Sequence, residues 1–172
     1  MKKINLYIDG LFYKGSGIGR YYESIIKELA KKDVEIITSV PKRLKNDFEK
    51  DFAEISNIKP IFVDYEKFSL KGFWKQSSIL KNLEKKIDLF FYPHINLPFY
   101  VPRNTIVTIH DLRPFTEWWD RGEFKREMYK ILMKRAVSKS KKIITISNTM
   151  KEDLMKYYKN IKLESKINVI YE

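Results

Sequence analysis

Residues 8–20, IDGLFYKGSGIGR, hold four of the chain's six glycines, and YPHINLP and TIHDLRPF hold both of its histidines, His94 and His110. Glycines between an apolar run and an amphipathic one let backbone N–H groups approach a ligand with no Cβ in the way. A helix beginning there adds unpaired donors and a partial positive charge, so a phosphate or carboxylate is the ligand such a loop suits. Gly15, Gly17, Ile18 and Gly19 are the candidate amides, and Arg20 the candidate for a forked charged contact. The imidazole of His110 is suited to hydrogen-bond a hydroxyl or a phosphate, with His94 a lesser candidate. Asp111, next to His110, is either a base or an Asx turn that bonds only nearby amides.

Two phosphate signatures nearly fit. Gly15-Ser16-Gly17-Ile18-Gly19-Arg20 places Arg20 where the dinucleotide fingerprint needs a small residue, and Thr38-Ser39-Val40, ending the second apolar run, offers no acidic partner for a ribose. Gly10-x4-Gly15 has P-loop spacing but is followed by Ser16 and Gly17 instead of Lys and Ser or Thr. Nicotinamide and P-loop chemistry are therefore disfavoured. The competing reading is a glycine-rich turn that merely eases a tight strand-to-helix connection. There is no metal-ligand spacing, no serine in a nucleophile elbow and no evident tight carboxylate pair. The chain has no cysteine, which excludes disulfides and thiol chemistry and fits a reducing compartment.

These loops need elements to hold them. Short β-branched or aromatic runs predict strands at Lys3–Ile8, Val34–Thr38, Pro60–Val63, Asp88–Tyr92, Thr105–Ile109, Lys142–Ile146 and Ile167–Ile170. Helical spacing links Ile18, Tyr22, Ile25, Ile26 and Leu29, and later Phe124, Met128, Ile131, Leu132 and Ala136. A third helix, through Met150, Leu154 and Tyr158, follows Thr149-x-x-Glu152, which reads as a capping box; Ser147 should end a strand or start that helix. Near-continuous apolar strands alternating with helices predict a doubly wound α/β domain, a mostly parallel sheet of about seven strands with helices on both faces. In such a sheet every loop after a strand emerges at one edge, where ligands bind. The glycine loop and both histidines belong to that edge.

The 172 residues are enough for one domain, 1–172. A formal charge of +12 suits phosphorylated ligands or anionic lipid, or is solvated lysine surface. FSLKGFWKQ, residues 68–76, interleaves Phe68, Phe73 and Trp74 with Lys71 and Lys75. It suits a membrane interface, or else Phe73 and Trp74 staple the following helix to the core. WDRGEFKRE, residues 119–127, reads equally as a solvated helix start. Asp9 interrupts the first apolar run too early for a secretory signal, and no stretch is long enough to span a bilayer, so a cytoplasmic location, with peripheral membrane contact open, is expected. Specific nucleic-acid binding is not expected, since aromatic and basic residues are scattered.

GSGIGRYYESIIKEL, YPHINLP, VTIHDLRPF and KKIITISNTMKEDLMKYY, in this order and at these intervals, resemble the N-terminal half of retaining, GT-B-fold glycosyltransferases of the group 1 (family 4) type. The resemblance covers essentially the whole chain. It implies a Rossmann-like, acceptor-side domain of an enzyme that moves a sugar from a nucleotide-sugar co-substrate to a glycan or lipid-linked acceptor in cell-envelope synthesis, without a metal or other cofactor. By position it implies that Gly17, Ile18 and Gly19 offer amides to the diphosphate or acceptor, that Arg20 adds charge, and that His110 contacts the transferred sugar. His94 and Asp111 would orient the acceptor. It also implies a second α/β domain carrying the donor-binding glutamates, which this chain lacks, so the chain alone is expected to be inactive. The rival expectation is a non-enzymatic α/β module that binds an anionic ligand or partner through its basic face.

Overall fold

A computed structural model of the chain describes residues 3–159 and 161–171. Seven strands form one sheet: β1 Ile4–Asp9, β2 Val34–Pro41, β3 Ile58–Val63, β4 Leu89–Tyr92, β5 Thr105–Ile109, β6 Lys142–Thr145 and β7 Ile167–Val169. Their order is β3-β2-β1-β4-β5-β6-β7 and every neighbouring pair is parallel. The direction of travel reverses between β3 and β4, and β1 and β4, side by side, flank that switch point. β2 and β3 run longer than the sequence suggests. Pro60 sits inside β3, tolerated because β3 is an edge strand with one paired side.

Five helices cover the sheet: α1 Ser16–Ala30, α2 Lys45–Asp51, α3 Leu70–Leu83, α4 Glu123–Lys139 and α5 Asn148–Tyr157. On one face α1 and α2 bury Tyr22, Ile26, Phe48 and Phe52 against Ile8, Ile36 and Val40. On the other, α3, α4 and α5 bury Leu80, Met133, Val137 and Leu154 against Tyr7, Phe90, Val107 and Ile143. Each such side chain contributes roughly 1.5–3 kcal/mol on leaving water. β4 and β5 are joined without a helix, by residues 93–104.

Two readings are corrected. The cap of α5 is Ser147, whose hydroxyl accepts the Met150 N–H at 3.1 Å, so Thr149 and Glu152 lie within the helix and form no capping box. α1 begins at Ser16, before Ile18, which draws Gly17 and Gly19 into its first turn. α2 and α3 had no periodic signature. The inward face of α3 carries Gly72, Gln76 and Ser77 beside Leu80, so burial there does not follow hydrophobicity.

Candidate functional site

Because β1, β4 and β5 are neighbours, the loops leaving them converge. With the loop after β3 they border a small cleft of about 80 Å³, lined among others by Phe12, Ile18, Phe68, His94, His110 and Asp111. Its walls are largely apolar and its polar groups few, the arrangement that orients a ligand while excluding water. Glycine loop and histidines thus share one rim.

His110 is fixed from two sides. Its Nε2–H donates to the Pro93 carbonyl at 2.9 Å, and its ring meets Tyr21 of α1 edge-on at 4.8 Å between centroids. The Tyr21 hydroxyl lies 3.1 Å from Thr108 Oγ1, so α1 is clamped to β5 directly beside the imidazole. The exposed Asp111 accepts the Arg113 N–H at 3.1 Å, an Asx turn, while one side of the residue still lines the cleft.

His94 is buried, and both ring nitrogens are engaged within the protein. Nδ1 accepts the Asn96 N–H at 3.1 Å, which leaves Nε2–H to donate to Asp9 Oδ2 at 2.6 Å. It therefore shows the cleft ring carbon, and its polar atoms hold the loop. Asp9, fully buried at the end of β1, also accepts from Gln76 Nε2, from the Tyr7 hydroxyl at 3.3 Å and from the Leu11 N–H at 3.3 Å. This satisfies a carboxylate that would otherwise be costly to bury. Burial, with the Asp9 charge beside it, pushes the Tyr7 hydroxyl well above the usual phenol range, so it remains a donor. Asn96 in turn accepts the Phe68 N–H at 3.2 Å, and Phe68 holds a left-handed backbone at φ 59°. Three loops are thereby tied beneath one cleft. Asp9, Gln76 and Asn96 escape a reading by motif; the available signal was a charge at the end of an otherwise apolar strand.

The glycine loop behaves differently from expectation. Positive φ falls on Lys14 and Ser16, while Gly15 is extended at φ −112°. Gly19 is required by close packing: a Cβ there would stand 2.6 Å from the Phe12 carbonyl oxygen. Its N–H goes to the Gly15 carbonyl at 2.8 Å, and the Gly15 N–H to the Phe12 carbonyl at 2.7 Å, so neither amide is offered to a ligand. Gly17 faces open space. The N–H groups of Gly17 and Ile18 lie in the first turn of α1, where no intrahelical acceptor exists, and Gly15 has no side chain to cap them. Arg20 is exposed on that turn, outside the residues lining the cleft.

Lys67, absent from the sequence-based expectations, joins this corner. Its ammonium sits 4.2 Å from the centre of the Phe12 ring and about a van der Waals contact from where a Gly15 Cβ would stand. Burial holds its pKa below the ordinary lysine value. The corner thus combines two amides, a helix N-terminus and a partly desolvated cation, all favouring an anion. Among the described residues no three His, Cys, Asp or Glu side chains group as a metal site would require.

A family model described as Glycosyltransferase Family 4 matches residues 15–172. The O-antigen chain mannosyltransferase RfbU of Salmonella typhimurium is 31% identical over 100 residues, which cover 58% of this chain and 26% of that protein. A crystal structure of a glycosyltransferase from Rickettsia africae superposes with a TM-score of 0.54 at 19% identity, covering 100% of this chain and 44% of that one. The chain thus spans about a quarter of the curated relative and under half of the solved structure, and the latter likeness shows the fold.

Proposed function

Since the chain belongs to glycosyltransferase family 4, we propose that it forms the acceptor-side half of an enzyme that transfers a hexose, with retention of configuration, from a nucleotide-sugar to a saccharide or lipid-linked acceptor. The active enzyme pairs it with a second α/β domain that carries the donor-binding glutamates. The mannosyltransferase relative supports a place in cell-envelope glycan synthesis, on the cytoplasmic side where nucleotide-sugars are made. One observation carries the reading: Ile18, on the first turn of α1, and the imidazole of His110 line one apolar cleft at the sheet's switch point, and Lys67 stacks on Phe12 in its wall.

A departing nucleoside diphosphate gains negative charge as the glycosidic bond breaks. Donors fixed beforehand stabilise that charge more in the transition state than in the ground state. In this reading the two amides and Lys67 supply that stabilisation, with Arg20 adding longer-range attraction. His110, its Nε2–H committed to Pro93, lines the cleft in which this reading puts the transferred sugar. Asp9 and His94 act through the loops they hold, and Asp111 borders the acceptor's path. No step calls on a metal ion.

The test is sugar transfer by the two-domain enzyme, assayed with a panel of nucleotide-sugars, in wild-type and His110→Ala forms. Loss of turnover by about two orders of magnitude with an unchanged melting curve supports the reading. A chain that binds nucleoside diphosphates but shows no transfer under any pairing is the anionic-ligand module instead.

A further inference from the structure

The helices on the two faces differ in kind, apart from α5, which carries two basic and two acidic residues. The α1 and α2 sequences contain four basic and five acidic residues, and neither helix exposes a large apolar side chain. The α3 and α4 sequences contain nine basic and two acidic residues, and they expose Leu70, Trp74, Phe124 and Ile131. Trp74 is 73% exposed and Phe124 86%. Both helices cover the same face of the sheet, since Leu80 and Met133 share one core. Phe99, half exposed in the β4–β5 loop, fills the space between them. Its ring lies 5.5 Å from that of Phe73, and Arg135 of α4 donates to its carbonyl at 2.5 Å. Phe73 is thus partly stapled, and Trp74, though it meets the Phe99 ring edge-on at 6.3 Å, stays largely exposed.

We propose that the outer face of α3 and α4 docks onto an anionic lipid bilayer. Aromatic and aliphatic side chains standing out of a predominantly basic surface, whose Glu123 and Glu127 are paired with Arg126 and Lys130, fit the headgroup boundary, where rings find both apolar and polar surroundings and lysines meet lipid phosphate. A protein partner or a second copy would bury the lysines, and burial without matched carboxylates disfavours it. Lys71 and Lys75 share the exposed Asp64, so one carboxylate serves two ammonium groups and positive charge remains for phosphate. No helix among the described residues is long and apolar enough to cross a membrane, so the contact is peripheral. Phe68, just before α3, and Tyr129, in the second turn of α4, line the cleft, so docking sets its mouth beside the lipid surface.

Flotation of the 172-residue chain with phosphatidylcholine vesicles, and with vesicles that also contain phosphatidylglycerol, tests this. Partitioning to the anionic vesicles, weakened by salt, is expected. Trp74→Ser with Phe124→Ser lowers it by about tenfold or more, and Lys71→Glu with Lys75→Glu lowers it on anionic vesicles. Lys50→Ser on α2 leaves it unchanged. Circular dichroism confirms that each variant is folded. The proposal is overturned if wild-type protein stays unbound, if the aromatic pair of substitutions has no effect, or if sedimentation reveals a dimer that Trp74→Ser dissolves.

Discussion

The two histidines, close in space, do opposite work. His94, Asp9 and Gln76 form a buried set in which each donor has its acceptor, so Asp9→Ala strands the His94 and Gln76 N–H groups. At about 1–3 kcal/mol for each unpaired buried donor, urea unfolding of Asp9→Ala should show a loss of about 3 kcal/mol or more. His110→Ala, at a partly exposed position, should unfold close to wild type. Lys67 adds a pH signature to binding. Its pKa is lowered by burial, so the anion affinity it supplies is present while the group is protonated and declines as pH rises through that lowered value. Calorimetric titration with a nucleoside diphosphate should therefore weaken toward alkaline pH in wild type and stay flatter in Lys67→Met.

Within elements, the first turn of α1 separates packing from binding. Gly19→Ala forces a methyl to 2.6 Å from the Phe12 carbonyl oxygen and should lower the melting temperature. Gly17→Ala meets nothing within 4 Å and should gain up to about 1 kcal/mol in helix propensity while obstructing the approach to the turn's amides. A raised melting temperature with weakened diphosphate binding is the expected pair of results. Behind this turn, Lys14 binds Asp51 at 2.5 Å and the Tyr13 hydroxyl donates to the same carboxylate at 2.9 Å, clasping the loop to α2. The Lys14 ammonium holds the Asp51 pKa below its usual value. The clasp's contribution is complete above the ordinary aspartate pKa of about 3.9 and is lost as pH falls through the lowered one. Asp51→Asn should flatten acid unfolding in that window. The seven strands were legible because a doubly covered parallel sheet makes each of them an apolar run. α3 was not, because it turns Gly72, Gln76 and Ser77 inward to meet Asp9 and neighbouring backbone, and hydrophobic spacing cannot register a helix whose core face is polar. The shared rim of the cleft followed from topology. Lys67 and the Asp9 network did not, since nothing in local spacing joins residues more than 60 positions apart, as Gln76 and Asp9 are.

Across the whole molecule, charge is partitioned by layer. Seven of the twelve excess positive charges lie on α3 and α4, so that side attracts anionic surfaces while α1 and α2 stay near neutral. Surface charge alone would permit association with many polyanions. The exposed rings on the same layer narrow the choice to a surface that also accepts apolar groups. The strand order has a different consequence, for biogenesis. β1 finds its first neighbour at residues 34–39, but its other edge is closed only by β4, through Leu6–Leu89, Tyr7–Phe90 and Ile8–Phe91. A nascent polypeptide emerging from the ribosome must therefore carry an open central strand, with Asp9 lacking its His94 partner, until β4 and the loop after it have emerged. Stalled chains ending before that closure should be cleaved readily by protease, and those long enough to have released β4 and its loop from the exit tunnel should resist.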